Sequence, residues 1–132
     1  MKSPIHVGLG PKGILGAVII GIFVFLPPIL FPGQTGLWSQ ALLILATFVY
    51  VAFAIAFDHN KLALTILQAG FAILLVGLSV AFGSTWIVVC GLLAHAVWDA
   101  FHLTRRQRYA PWWYAGACIY VDVAAAAFLI LR

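Results

Sequence analysis

Residues 86–103, WIVVCGLLAHAVWDAFHL, form an apolar run that carries two histidines and an aspartate, His95, Asp99 and His102. The length fits a helix that crosses hydrocarbon, because a layer of roughly 30 Å needs about 20 residues rising 1.5 Å each. The polar residues add a condition. A central aspartate costs at least about 2.5–3.5 kcal/mol on insertion scales, so it faces a bundle interior and finds partners there. At about 100° per residue, all three side chains fall within roughly 60° of the helix circumference. One narrow face of this helix therefore meets something other than lipid.

Working outward, four more runs of the same kind occupy residues 13–31, 37–57, 62–82 and 112–131. The chain as a whole is 65% apolar and 8% charged, whereas about a quarter of the residues of a soluble globular domain are charged. The reading is an all-α membrane protein, a single domain over residues 1–132 with five transmembrane helices. The connections PGQTG, DHNK, GST and TRRQRYAP are turn-like and too short to hold a second domain. The formal charge of +4 excludes nucleic acid as a partner, because the cations mark the ends of apolar runs and form no patch. With five spans Lys2, Lys12, Lys61, Arg105, Arg106 and Arg108 share one side, leaving Arg132 on the other. The positive-inside rule then puts the N-terminus in the cytoplasm and the C-terminus outside, in a bacterial inner membrane.

Several local patterns carry less weight. No small-residue cleavage site follows the first run, which is expected to be retained. Its Gly13, Ala17 and Gly21 form a stripe that lets another helix approach, and Pro27, Pro28 and Pro32 are expected to end or kink it. Gly8, Gly10 and Gly13 match the spacing of a dinucleotide fingerprint but lack the strand that the motif requires. Cys90 and Cys118 have neither zinc-finger nor CxxC spacing and are read as reduced.

Depths counted from the cytoplasmic end of each helix place His95 roughly 12 Å into the membrane, Asp99 about 6 Å and Asp122 about 15 Å. His102 lies close to the surface. His95 and Asp122 thus share a layer, and the short loop between their helices makes those helices neighbours. Asp58 and His59, in the DHNK turn, lie on the same side. The spacing Asp99-x-x-His102 is how bundle helices present two ligands to one ion, and His95-x-x-x-Asp99 is a second such pair. Imidazole with carboxylate suits Zn, Fe, Ni or Mn. The expected metal ligands are His95, Asp99, His102 and Asp122, with Asp58, His59 and Cys118 as further candidates. In an enzyme, Asp122 and His95 would be the catalytic pair. Without a metal, the same groups make an internal hydrogen-bond network.

Arg105, Arg106 and Arg108 suit anionic lipid, or the phosphate of a substrate. Trp112, Trp113, Tyr109 and Tyr114 suit an aromatic belt, whereas Trp98 sits beside the polar face. Gln40 and Gln68 lie in or near spans, and nothing in the sequence ties them to the site.

From AHAVWDAFH at 94–102 to YAGACIYVDV at 114–123, the chain resembles a group of small uncharacterised bacterial integral membrane proteins. The likeness rests on His95, Asp99 and His102 on one helix and Cys118 and Asp122 on the next. It implies that these five positions act together and supplies no reaction. A shorter stretch, CGLLAHAVWD, is similar to the His-x-x-x-Glu helix of sterol-isomerase-type membrane proteins, with aspartate in place of glutamate. That likeness implies proton-shuttling isomerisation.

Together these features point to a metal-binding site and an intramembrane enzyme acting on a lipid-like substrate. Two other functions fit the same residues. One is an accessory subunit of a larger membrane complex, or a homo-oligomer, whose small-residue stripes pack on partner helices. The other is a proton or ion conductor using the histidines and carboxylates as a relay.

Overall fold

The computed structural model describes residues 11–105 and 110–132. They form five helices: α1 (Pro11–Leu30), α2 (Thr35–Phe57), α3 (Leu62–Phe82), α4 (Thr85–Arg105) and α5 (Trp112–Ile130). No strand occurs among the described residues. Four helical segments, Pro32–Phe57, His59–Phe82, Thr85–Thr104 and Trp112–Ile130, are long and apolar enough to cross a membrane. In α1 the described apolar segment, Ile14–Leu30, is shorter. Large apolar side chains such as Leu15, Phe23, Leu45, Leu67, Phe82 and Val97 cover the outside of the bundle. Such a surface is matched to acyl chains and not to water.

Local chemistry sets the helix ends. Gly83 ends α3 in the left-handed region at φ 59°, where a Cβ would meet the following carbonyl, and its N–H closes onto Ser79 and Val80. Asp58 ends α2, and its side chain accepts from the Asn60 N–H at 3.1 Å, which sets the turn into α3. The prolines divide between the helix and its end, which falls at Leu30 just before Pro32. Helix α1 runs through Pro27 and Pro28 to Leu30, and the Phe31 N–H still reaches the Pro27 carbonyl at 2.8 Å. Pro32 opens a short 3₁₀ turn, a position that needs no backbone donor.

Helix α5 lies between α1 and α4, while α2 and α3 pair with each other and both pack on α4. Small buried residues let α5 approach its neighbours: Ala115, Gly116, Ala117, Ala125 and Ala126 are all buried, and Ala125 and Ala126 share one core cluster with Val88, Val89 and Leu92 of α4. On α4 the buried positions Val88, Leu92, His95, Asp99 and His102 follow a repeat of three and four. The polar residues thus continue the stripe that begins as aliphatic core. At the end away from the polar residues, Phe25, Trp38 and Phe128 meet with ring centroids 6.0–6.3 Å apart. There Arg132 donates to the Pro32 carbonyl and the Thr35 hydroxyl, joining the end of α5 to the α1–α2 turn.

Two glycines mark close approaches. A Cβ at Gly91 would lie 2.6 Å from Leu43 Cδ2 and 3.1 Å from Leu75 Cδ1, so its absence lets α2 and α3 seat against α4. In α1 the approach is at Gly16, where a Cβ would meet the Trp113 ring at 3.3 Å, while Gly21 is open. Overpacking of a buried site costs typically about 1–3 kcal/mol. Gly91→Leu should destabilise the bundle by about that amount, measured by titrating the micelle-embedded protein with sodium dodecyl sulfate. The control is Gly77→Leu, at an exposed glycine with open space beside it. Equal stability of the two variants would refute the packing role of Gly91.

Candidate metal and proton-transfer centre

Three ionisable groups meet on the α4–α5 seam. His95 and Asp99 are one turn apart on α4, and Asp122 comes from α5; at most 3% of each is exposed. His95 Nδ1 lies 2.6 Å from Asp122 Oδ2, a hydrogen bond between the helices. With Asp122 as a carboxylate, which only accepts, Nδ1 carries the proton and Nε2 keeps its lone pair. Asp99 Oδ2 lies 3.3 Å from the same Nδ1, a contact without a directed hydrogen bond. The other oxygen, Oδ1, accepts from the hydroxyl of Tyr50, a fully buried residue of α2. Each carboxylate is thus held by a different helix, and His95 stands between them.

His95, Asp99 and Asp122 each offer a ligand atom within 4.8 Å of the others, a group that can hold a metal ion. It is the only such group of three or more His, Cys, Asp or Glu among the described residues. His102 is buried on the same stripe, but its ring is turned elsewhere. Its Nδ1–H donates to the Trp98 carbonyl at 2.9 Å, and its ring lies 4.8 Å from that of Tyr50, centroid to centroid. Cys118 is buried on α5 outside the three-residue group. Asp58 is engaged in its turn, and His59 is exposed. Arg105 closes α4. The Arg105 side chain, Arg106 and Arg108 lie outside the described residues, as do Lys2, Gly8 and Gly10.

The centre borders a cavity of about 380 Å³ between α2, α3 and α4, lined by Thr47, Gln68, His95 and Trp98 among mostly aliphatic neighbours. Buried polar atoms without a hydrogen-bond partner belong to three of these lining residues: both amide atoms of Gln68, Nε2 of His95 and Nε1 of Trp98. Leu64, Leu67 and Phe71, also in the lining, are exposed on the outside of the bundle. The cavity therefore opens sideways, toward the surface matched to acyl chains.

Sequence reasoning missed Tyr50. Nothing in the order of residues links α2 to Asp99. The available signal was depth: Tyr50 sits well inside a span of 23 residues, where a hydroxyl needs a partner. No protein-family model, curated protein or solved structure matches the chain.

Removing one member of a buried pair strands the other, at a cost of about 3–5 kcal/mol, whereas replacing both by apolar residues is often neutral. Asp122→Leu should be strongly destabilising, and adding His95→Leu should recover much of the loss. Tyr50→Phe, which orphans Asp99 Oδ1, should cost about 1–3 kcal/mol. Detergent unfolding of the wild type, His95→Leu, Asp122→Leu and the double variant measures the coupling, with Tyr50→Phe measured alongside. Strictly additive losses for His95 and Asp122 would show that the contact carries no interaction energy.

Proposed function

We propose that this chain is a five-span protein of the bacterial inner membrane, N-terminus inside and C-terminus outside, with a transition-metal centre that serves a lipid-like substrate. The observation that carries the metal reading is the convergence of His95 Nδ1 with carboxylate oxygens of Asp99 and Asp122, all buried, within 4.8 Å. The mix of one imidazole and two carboxylates suits Zn, Fe, Ni or Mn. Binding requires the Nδ1 proton to move to Nε2, after which Asp99 Oδ2 and Asp122 Oδ2 are the facing oxygens. Tyr50 fixes the Asp99 carboxylate from outside the ligand group, the role that an outer hydrogen-bond partner plays in metal sites. A bound ion would supply Lewis acidity next to the cavity. The chain would contribute orientation of its ligands and exclusion of water.

Elemental analysis of detergent-purified protein tests this directly. A stoichiometric transition metal is expected, lost in His95→Ala and Asp99→Ala and held about 10–100-fold more weakly in Tyr50→Phe. Affinity should increase with pH, because the ligands shed protons on binding. Protein free of stoichiometric metal, with His95→Ala unchanged in content and absorbance, would end this reading. Topology is checked separately by reporter fusions, expected outside after Gly83 and Arg132 and inside after Asp58 and Gln107.

A second reading is favoured by the 2.6 Å contact between His95 and Asp122. A pair already hydrogen-bonded at this distance is suited to pass a proton without an ion. A conductor built on it would give proton flux in liposomes that Asp122→Asn abolishes, and wild-type flux equal to that of empty liposomes would dismiss it.

A further inference from the structure

The cavity beside the centre is an apolar space whose unpaired polar atoms are grouped on three residues. Buried donors and acceptors are rarely left without partners, since each costs about 1–3 kcal/mol. Here Trp98, Gln68 and His95 all border the same volume, and each has buried polar atoms without a partner: the Trp98 indole N–H, the Gln68 amide and His95 Nε2. Among the described residues no Lys, Arg, Asp or Glu lines it, so an ionic head group finds no fixed counter-charge in that lining. The rest of the wall includes Leu43, Leu75 and Ala94.

We infer that this cavity binds a neutral, lipid-soluble alcohol, with the hydroxyl placed among His95, Trp98 and Gln68 and the hydrocarbon body reaching the bilayer past Leu67 and Phe71. A hydroxyl fits because it donates one hydrogen bond and accepts two. Its proton goes to His95 Nε2, the lone pair left when Nδ1–H is given to Asp122. Its oxygen accepts from Trp98 Nε1–H and from the Gln68 amide. If Nδ1 instead holds a metal, Nε2 becomes a donor, and the hydroxyl donates to the Gln68 carbonyl oxygen. A ketone or ether offers no proton in either state. A volume of about 380 Å³ is at the lower end for small-molecule pockets, roughly 300–1,000 Å³, and admits one short isoprenoid or fatty chain. This inference rests on the membrane reading above, names the class of its lipid-like substrate, and needs no metal.

The test uses the full chain in phosphatidylcholine nanodiscs, with tritiated farnesol as probe and unlabelled farnesol, farnesyl methyl ether and farnesane as competitors. Saturable binding is expected, displaced about tenfold less well by the ether, which cannot donate, and least by the hydrocarbon. Trp98→Phe combined with Gln68→Leu should weaken binding about tenfold or more, and Ala94→Phe, which fills the cavity, should abolish it. Binding should survive chelation, and the metal content of the Trp98 and Gln68 variant should match the wild type. Absence of saturable binding, equal displacement by alcohol and ether, or full binding in the combined variant would overturn the inference. Loss of metal with alcohol binding intact counts only against the metal reading. The alcohol–ether comparison uses wild-type protein, so it decides the matter even where a variant does not fold.

Discussion

Two helices meet at the His95–Asp122 hydrogen bond because neither group can find water where it sits. A carboxylate in a low-dielectric bundle is tolerated only with a partner in hydrogen-bonding reach. Reach of 2.6 Å between side chains on α4 and α5 requires the backbones to come close. The close approach is available because α5 is small where it meets α4, with Ala125 and Ala126 packed in one cluster with Val88, Val89 and Leu92. A larger residue at either would push the helices apart and strain the pair. The small stripe and the polar contact are therefore two expressions of one constraint, and neither is stable without the other.

The same logic recruits a helix that is distant in sequence. Asp99 has two oxygens; α5 leaves both free, and Tyr50 on α2 takes one. The tyrosine brings with it an aromatic layer in which its ring lies near Tyr114, His102 and Phe53. At the opposite end α2 is held by shape, with Leu43 seated over Gly91. The bundle thus has a polar half specified by hydrogen bonds and an apolar half specified by packing. Hydrogen bonds are directional, so the polar half fixes the register that close packing alone would leave less defined.

This division also explains what could be read from the chain. Helix existence was legible because hydropathy over about 20 residues is a sum, insensitive to any single side chain. The α4 stripe was legible because His95, Asp99 and His102 continue the three-and-four spacing of Val88 and Leu92. Depth counting put His95 and Asp122 in one layer, and their contact agrees. Ring orientation was not legible. His102 occupies the stripe, but the carbonyl of Trp98, one turn back, takes its Nδ1–H, and spacing carries no information about that choice. Asp58 was drawn into a local turn by the nearby Asn60 N–H, a short-range competitor of any long-range site. Tyr50 and Gln68 depend on how α2 and α3 are rotated against α4, which follows from the whole assembly and not from their own neighbours in sequence.

His95 is the point where the two sides of α4 communicate. Nδ1 faces α5 and its carboxylate, whereas Nε2 has no partner and the residue lines the cavity formed with α2 and α3. The two nitrogens belong to one conjugated ring, so the state of either sets the role of the other. A proton accepted at Nε2 creates an imidazolium flanked by Asp99 and Asp122, and a shift of the proton from Nδ1 to Nε2, which would free Nδ1 for a metal, turns Nε2 from acceptor to donor. A ligand entering from the bilayer would therefore meet a group whose hydrogen-bonding character is decided on the far side of the helix. A cavity residue with a single polar atom, such as Trp98, offers no such coupling. That is the physical reason for a histidine, and not merely some polar residue, at the centre of this stripe.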